Sequence, residues 1–520
     1  MKKLGYIIAC ALFSTSLAFA QGEMDAYRYS RSELSGSARS VAMGGAFGAL
    51  GGDISSLHIN PAGLGVYQTS EIVSTVNFMH NKTAADMKGH SIDEKLFTFS
   101  LDNIGAVLSF NSGNGGRLNF GFSYNKDFSY NNRYNISGQN MGSSLTQYIA
   151  ETTNRWNGGN GIAEDELTMA DRNYDPFDQG LPWLSILGYN AYLMDPVSTN
   201  RPTDPVHYTP VFPSGTATNN NMYIDEKGSA STYNFSLGGS AINDHLYLGA
   251  TFALTDMDYY MHSVYQESSG NLGNYTMENY LLTRGLGFNM KLGLIVRPIN
   301  AVRIGVAFHS PSWYQLTDEY EAGITLIDKR DNPFGMDDYT FRTPEKWVFS
   351  AAGILGRSAI VSADWEITNY RRMNLGYYSA AEANSYIDED FRVSHTIRIG
   401  AEAKMTNRFS LRAGAEFRTS AFDPDVRETI ADGNLEIRTV GTTPQFMIDR
   451  GSNTYTFGLG YRFTQKFYMD LACAMMRYTA DYYNYSALPT SSGNQTYVAS
   501  EKGTIKTNRT KALVTLGYKF

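Results

Sequence analysis

Residues 395–417 read HTIRIGAEAKMTNRFSLRAGAEF. Ile397, Ile399, Ala401, Ala403 and Met405 alternate with Arg398, Gly400, Glu402 and Lys404. After Thr406-Asn407-Arg408 the alternation resumes as Phe409, Leu411, Ala413, Ala415 and Phe417 against Arg412, Gly414, Glu416 and Arg418. A period of two marks strands with one apolar face. With 406–408 as a three-residue hairpin loop, Met405 faces Phe409 and the apolar faces stay in register. The other face then sets Arg398 opposite Glu416 and Glu402 opposite Arg412, two opposite-charge pairs that support this register. Alternation alone leaves two architectures open. A soluble sandwich buries its apolar face. A membrane barrel turns that face to lipid and keeps charges in the lumen.

Loop lengths decide between them. Alternating segments cover 69–81, 95–111, 117–130, 229–241, 245–265, 275–297, 301–317, 341–354, 358–373, 391–405, 409–419, 452–463, 467–482 and 505–520. Connections after even-numbered segments are five residues or fewer, and those after odd-numbered ones are nine or more. Short and long loops in strict alternation are the pattern of outer-membrane barrels. The chain ends KALVTLGYKF, with Phe520 on the apolar face like the C-terminal signal of such barrels. Trp313, Trp347, Trp365, Tyr461 and Phe463 fall near strand ends, where interfacial girdles belong. The expected fold is all-β: a 14-stranded antiparallel transmembrane β-barrel spanning 69–520. Its weakest strand is 95–111, where Asp102-Asn103 interrupts the alternation.

The start of the chain and the composition agree. Lys2 and Lys3, the apolar stretch from Tyr6 to Leu17 and Ala18-Phe19-Ala20 read as a signal peptide over 1–20. Beyond it no run of 18 apolar residues appears, which excludes helical spans. Only Cys10 and Cys473 are present, too few for a disulfide framework or a Cys-based zinc site. A net charge of −8 argues against nucleic acid as a partner.

Residues 21–68 precede the first strand and read as a lumenal hatch, or plug. Within 36–65, 17 of 30 residues are Gly, Ala or Ser, yet Val41, Met43, Phe47, Leu50, Ile54, Leu57 and Leu64 are interspersed, which a mere linker does not need. Arg39 and Asp53 are the only fixed charges there and are candidates to pair; His58 is a candidate for gating. Asn60-Pro61 reads as a rigid turn, with Gly63 available for positive φ.

The stretch SGSARSVAMGGAFGALGGDISSLHINPAGLG resembles the N-terminal hatch of the FadL/TodX outer-membrane transporters of long-chain fatty acids and other hydrophobic compounds. Asn60-Pro61-Ala62 matches that family's NPA motif. The resemblance continues at TPEKWVFSAAG (343–353), VSADWEITNY (361–370), 395–417 and the terminal strand, and is poor across 131–228. It implies loop capture of a hydrophobic small molecule, a pocket above the hatch, and lateral release at a kinked third strand. Here that strand is 117–130, in which Lys126 and Gly121 are the candidate irregularities.

The long extracellular loop 131–228 holds seven of fifteen Pro. Leu145, Tyr148, Ile149, Thr152 and Trp156 share a helical face, with Ser144 and Gln147 spaced for a capping box. LPWLSILGYNAYLM (181–194) is apolar nearly all round; Trp183, Leu184, Leu187 and Tyr192 are candidates for an outer ligand groove. No nucleophile elbow, zinc-protease or phosphate-loop motif occurs, and none of the eight His has metal spacing. Arg303, Asp364, Glu366, Arg462 and Asp470 read as hydrated lumen charges. The expectation is a non-enzymatic, cofactor-free, metal-free monomer of a Gram-negative outer membrane, in contact with its lipid and lipopolysaccharide, for passive uptake of compounds such as fatty acids. The rival is an adhesion or structural protein acting through 131–228.

Overall fold

The computed structural model describes residues 22–520 except 112–115, 170–173, 198–205, 271, 326–331, 357, 378–379, 427–441 and 490–496. The signal peptide expected over 1–20 lies outside the described residues.

Fourteen antiparallel strands close into a barrel. They are β1 (Glu71–Met87), β2 (His90–Asn111), β3 (Arg117–Ser129, resumed as Asn132–Met141), β4 (Thr218–Ala241), β5 (Leu246–Ser269), β6 (Gly273–Ile299), β7 (Val302–His309, resumed as Trp313–Ile324), β8 (Phe334–Arg342, resumed as Lys346–Leu355), β9 (Ala359–Asn369), β10 (Val393–Lys404), β11 (Phe409–Arg418), β12 (Phe446–Arg462), β13 (Phe467–Tyr483) and β14 (Gly503–Lys519). β1 pairs with β14 from Glu71↔Lys519 to Asp86↔Thr504, so no free edge is left at the seam. In the hairpin of β10 and β11, Arg398 lies opposite Glu416 and Glu402 opposite Arg412, and the Met405 amide bonds the Phe409 carbonyl.

The burial is inverted relative to a soluble protein. Leu248, Phe252, Leu286, Phe288, Leu292, Ile397, Ile399, Phe417, Phe457 and Leu459 are exposed on the outer face. Thr75, Asn77, Asn119, Ser123, Thr251, Asn289 and Lys291 are buried inside. Apolar surface costs about 25 cal/mol per Å² in water, so this outer face requires lipid. Trp313, Trp347 and Trp365 are exposed on neighbouring strands, stacked near Phe288, Phe308 and Phe349. Tyr461, Phe463, Phe467, Tyr518 and Phe520 cluster at the short-turn end. No helix among the described residues is long and apolar enough to cross a membrane.

Four differences from the sequence reading have physical causes. β1 and β2 run on to a two-residue Lys88-Gly89 turn, with φ of 52° and 84°, where a loop over 82–94 was expected. Likewise 132–141 pairs with 218–226, which narrows the irregular part of 131–228 to 142–217. Beyond the lipid a strand gains nothing from an apolar face, so pairing continues after the period-two signal fades. Asp102-Asn103 is a bulge opposite Thr75/Val76 that turns both side chains inward. Finally, Pro311 and Pro344 break β7 and β8 side by side, because proline cannot donate to the ladder.

Candidate functional site

Residues 22–68 fill the lumen. Helix α1 (Glu23–Ser30) sits toward the long-loop end, where Tyr27 bonds Asp449 and packs on Tyr370, Phe391 and Phe422. The chain then crosses the lumen as a beam. The Ser32 carbonyl is held by Arg418 of β11 and its hydroxyl by Lys346 of β8 (3.0 Å). Glu33 is held by Arg509 (2.5 Å) and Lys511 (2.9 Å) of β14. Burial opposes the Glu33 charge, but Lys511 and Arg509 prevail and hold its carboxyl at a pKa of about 2. The Glu33 amide also bonds the Asp127 carbonyl (2.9 Å), and its carboxylate accepts from the Ser129 amide (3.1 Å).

Below the beam, helices α2 (Ala38–Ala42) and α3 (Ser56–Ile59) and a 3-10 turn (Pro61–Val66) complete the hatch. Asn60 caps that turn by accepting from the Ala62 amide (3.1 Å), and its amide donates to the Gly48 carbonyl (2.6 Å). Pro61 occupies the first helical position, where its missing N–H costs nothing. Gly63 does not take positive φ. Its role is close approach, since a Cβ there meets Gly51 Cα at 2.8 Å. The wall matches the triplet with its own glycines: a Cβ at Gly249 collides with the Pro61 carbonyl, and one at Gly293 with Asn60 Oδ1.

The hatch charges find partners on the wall. Arg39 does not pair with Asp53; its guanidinium reaches Glu402 of β10 (2.9 Å). Asp53 instead accepts from the Ser37 hydroxyl (2.7 Å) and the Ser55 amide (3.0 Å), a local turn that satisfies it without a cation. Arg412 bridges Glu402 and Asp470, both at 2.6 Å. Arg398 bridges Glu366 (2.8 Å) and Glu416 (2.7 Å). Asp364 accepts the Phe47 and Gly48 amides (3.0 and 2.8 Å), and Arg303 bonds the Leu50 carbonyl. These lumen charges are therefore bound to one another and to the hatch, while Arg462 is exposed at the short-turn end. His58 Nδ1 accepts from Lys291 (2.9 Å). Burial first, then Lys291 and His309, hold the imidazole well below its ordinary pKa, in the neutral form.

Above the hatch lies a cavity of about 90 Å³, walled by α1, Arg31, Phe128, Tyr130 and Tyr478. No sequence signal singled out Arg31 or the beam, because most of their partners, Phe128, Tyr478, Arg418 and Arg509 among them, are remote in the chain. Helix α4 (Leu145–Gly159) is capped by Ser144, whose hydroxyl accepts the Thr146 amide, but Gln147 bonds the Phe212 carbonyl (2.9 Å) in place of a capping box. Helix α6 (Trp183–Asn190) packs beside it, and α5 (Glu164–Leu167) packs on α6. The four groove candidates are not brought together. Leu187 is fully buried, Trp183 packs on Phe177 and Tyr320, Leu184 is half-buried, and Tyr192 is exposed. A nearly all-apolar helix buries most of its faces, so the stretch makes a cap core.

The wall is irregular at one place. β2 and β3 pair only from Asn111↔Arg117 to Asn103↔Asn125. Asn103 donates to the Tyr124 carbonyl (3.0 Å) at the end of that ladder, and β3 bulges at Asp127 against β4. Residues 90–102 of β2 then lack a ladder partner on that side among the described residues. Phe97, Phe99 and Leu101 are exposed along this edge. Lys126 sits half-exposed beside the bulge, and Gly121 leaves room for Leu57 of the hatch.

No family model matches the chain, and no curated protein matches it. Solved structures do. A Pseudomonas aeruginosa FadL homologue aligns over 94% of this chain and 99% of its own at 12% identity, with a TM-score of 0.53. The P. putida toluene transporter TodX aligns over 94% and 99% at 13% identity, with a TM-score of 0.47, too low to add to the argument. Closed fourteen-strand wall, lipid-facing apolar band and lumenal N-terminal segment together give the chain the barrel fold of the FadL homologue and make it a protein of the Gram-negative outer membrane.

Proposed function

We propose that the chain is a monomeric outer-membrane channel for passive uptake of hydrophobic compounds such as long-chain fatty acids, gated by the hatch. The observation that carries this reading is the seam between β2 and β3. A wall that loses its ladder beside an apolar outer edge offers an apolar solute a path into the bilayer without crossing water. A polar solute has no use for such an exit. The beam ties the hatch to this seam through Glu33, Asp127 and Ser129, so movement of the hatch and opening of the seam are coupled in this proposal. Asn60, Pro61, Ala62, Arg39 and His58 act as the gate that seats the hatch. The barrel fold shared with the FadL homologue supports a channel. The test is uptake of radiolabelled oleate by cells lacking their own fatty-acid importer, with and without the chain at equal surface amounts. The proposal expects uptake to depend on the chain; equal uptake refutes it.

A further inference from the structure

Two turns at the short-turn end repeat one another. Lys404-Met405-Thr406-Asn407-Arg408-Phe409 joins β10 to β11, and Arg462-Phe463-Thr464-Gln465-Lys466-Phe467 joins β12 to β13. Both read cation, apolar, Thr, amide, cation, Phe. The geometry repeats as well. The Met405 amide bonds the Phe409 carbonyl, and the Phe463 amide bonds the Phe467 carbonyl, each at 3.0 Å. Thr406 Oγ1 accepts the Arg408 and Phe409 amides (3.2 and 3.0 Å), and Thr464 Oγ1 accepts the Lys466 and Phe467 amides (3.2 and 2.9 Å). A hydroxyl that closes a turn in this way fixes the residues on either side of it. The Arg462 amide bonds the Arg408 carbonyl (2.8 Å), so the two turns stand side by side. Lys404, Arg408, Arg462 and Lys466 are all exposed, and among the described residues none has an ion-pair partner. The carboxylates of these strands nearest to them, Glu402 and Asp470, are buried and taken by Arg412. Elsewhere at this end the β4–β5 turn carries Asp244, which pairs with Arg117 (3.6 Å), and Asn300-Ala301 between β6 and β7 is uncharged.

We propose that these paired turns bind an anionic phospholipid of the periplasmic leaflet, its phosphate among the four cations and its acyl chains along their apolar neighbours. Short turns of such barrels face the periplasm. Each cation directly precedes an apolar residue of the lipid-facing row: Met405, Phe463 and Phe467 are exposed, Phe409 is half-buried, and the Phe463 and Phe467 rings stack at 5.4 Å. The four charges therefore stand at the level where acyl chains give way to head groups, with their stems along apolar surface. Neighbouring strands are about 4.8 Å apart, which gathers the charges on one sector of the rim. The occupant follows from this junction. A free anion meets the cations but not the apolar row. A zwitterionic lipid covers the row but brings no net charge to four unpaired cations. A lipid with a net negative head satisfies both. Arg408 and Arg462 supply the forks that grip phosphate oxygens, and Lys404 and Lys466 add point charges. The site lies outside the lumen and does not depend on the uptake reading.

The test uses full-length protein in dodecyl maltoside, mixed with equimolar phosphatidylglycerol and phosphatidylethanolamine of the same acyl chains, with bound lipid counted by native mass spectrometry. Phosphatidylglycerol is expected to bind at least about tenfold tighter, and high salt should shrink the preference. Lys404→Gln, Arg408→Gln, Arg462→Gln and Lys466→Gln together bring the two lipids to parity. Exchanging each Lys for Arg and each Arg for Lys keeps most of the preference. Arg371→Gln with Arg372→Gln, at the long-loop end, leaves it unchanged. Heat-modifiable migration on gels confirms that each variant is an assembled barrel. Equal binding of the two lipids to the native protein, or a preference that survives the fourfold variant, overturns the proposal. Displacement of the lipid by inorganic phosphate alone marks a free-ion site and overturns it too.

Discussion

Arg39 Nε donates to Glu402 Oε2 at 2.9 Å, so a charge of the hatch is neutralised by the wall. Glu402 serves Arg412 as well, and Arg412 serves Asp470. Removing Glu402 leaves two cations with one carboxylate in a buried place, a loss of about 3–5 kcal/mol where a buried pair is broken. Glu402→Gln is therefore expected to loosen the hatch while the barrel, held by its ladders, still assembles. Cysteine labelling at position 43 in the hatch should rise in the variant. Labelling as slow as in the parent contradicts this.

The same sharing limits a charge swap. In an isolated hairpin, reversing Glu402 and Arg412 together restores most of a pair worth about 0.2–1 kcal/mol. Here the swapped charges face Arg39 and Asp470 with the wrong sign for Asp470 and for Arg39 alike. The double variant is expected to melt no higher than the worse single variant. Clear rescue in thermal unfolding would show that the neighbours do not matter.

The NPA triplet is seated by glycines of β5 and β6. Gly249→Leu and Gly293→Leu each put side-chain atoms where Pro61 or Asn60 now lies. Overpacking of this kind costs about 1–3 kcal/mol or more. Normal heat-modifiable barrel with a protease-sensitive 36–66 segment is expected. Asn60→Ala, which loses bonds to Gly48 and Ala62, should act in the same direction and alter oleate uptake.

Acid should loosen the hatch in two windows. The His58 pKa is depressed below its unfolded value of about 6.5, so its contribution is present above that pH and fades as pH falls below it. The Glu33 pKa is depressed to about 2, so its contribution is present above about pH 4.3 and is lost toward pH 2. Hydrogen-exchange protection across 31–66, taken relative to the intrinsic exchange rate at each pH, should fall from pH 7 to 5 and again below about 4.3, the first step shrinking in His58→Asn and leaving the share of His309, which bonds the Ile59 carbonyl. Unchanged protection over both windows counts against the assignment.

Wall and hatch differ in how far the sequence discloses them. Inside the bilayer each strand must show lipid one face and the lumen the other, so Ile397 to Phe417 spells out its own register. Past the lipid, β1 and β2 keep pairing with no such contrast, and Lys82 to Glu94 reads as loop. Hatch contacts carry no period at all. Nothing local directs Arg39 to Glu402 over Asp53, or Glu33 to Arg509 and Lys511, because those partners meet only once the barrel has closed around them. Leu187 shows the converse: an apolar helix announces burial without saying whether a ligand or a cap buries it.

The most direct measurement is oleate uptake with the hatch stapled to the wall. A Cβ on Gly48 stands 3.0 Å from Ser350 Cβ, slightly under the roughly 3.5–4.5 Å of a disulfide. Gly48→Cys with Ser350→Cys, in a Cys473→Ala background, can therefore close a reversible bridge after a small shift. The predicted result is chain-dependent uptake that falls to background when the bridge is oxidised and returns on reduction. Identical uptake in the oxidised and reduced states, with the bridge verified by mass spectrometry, would contradict gating by the hatch.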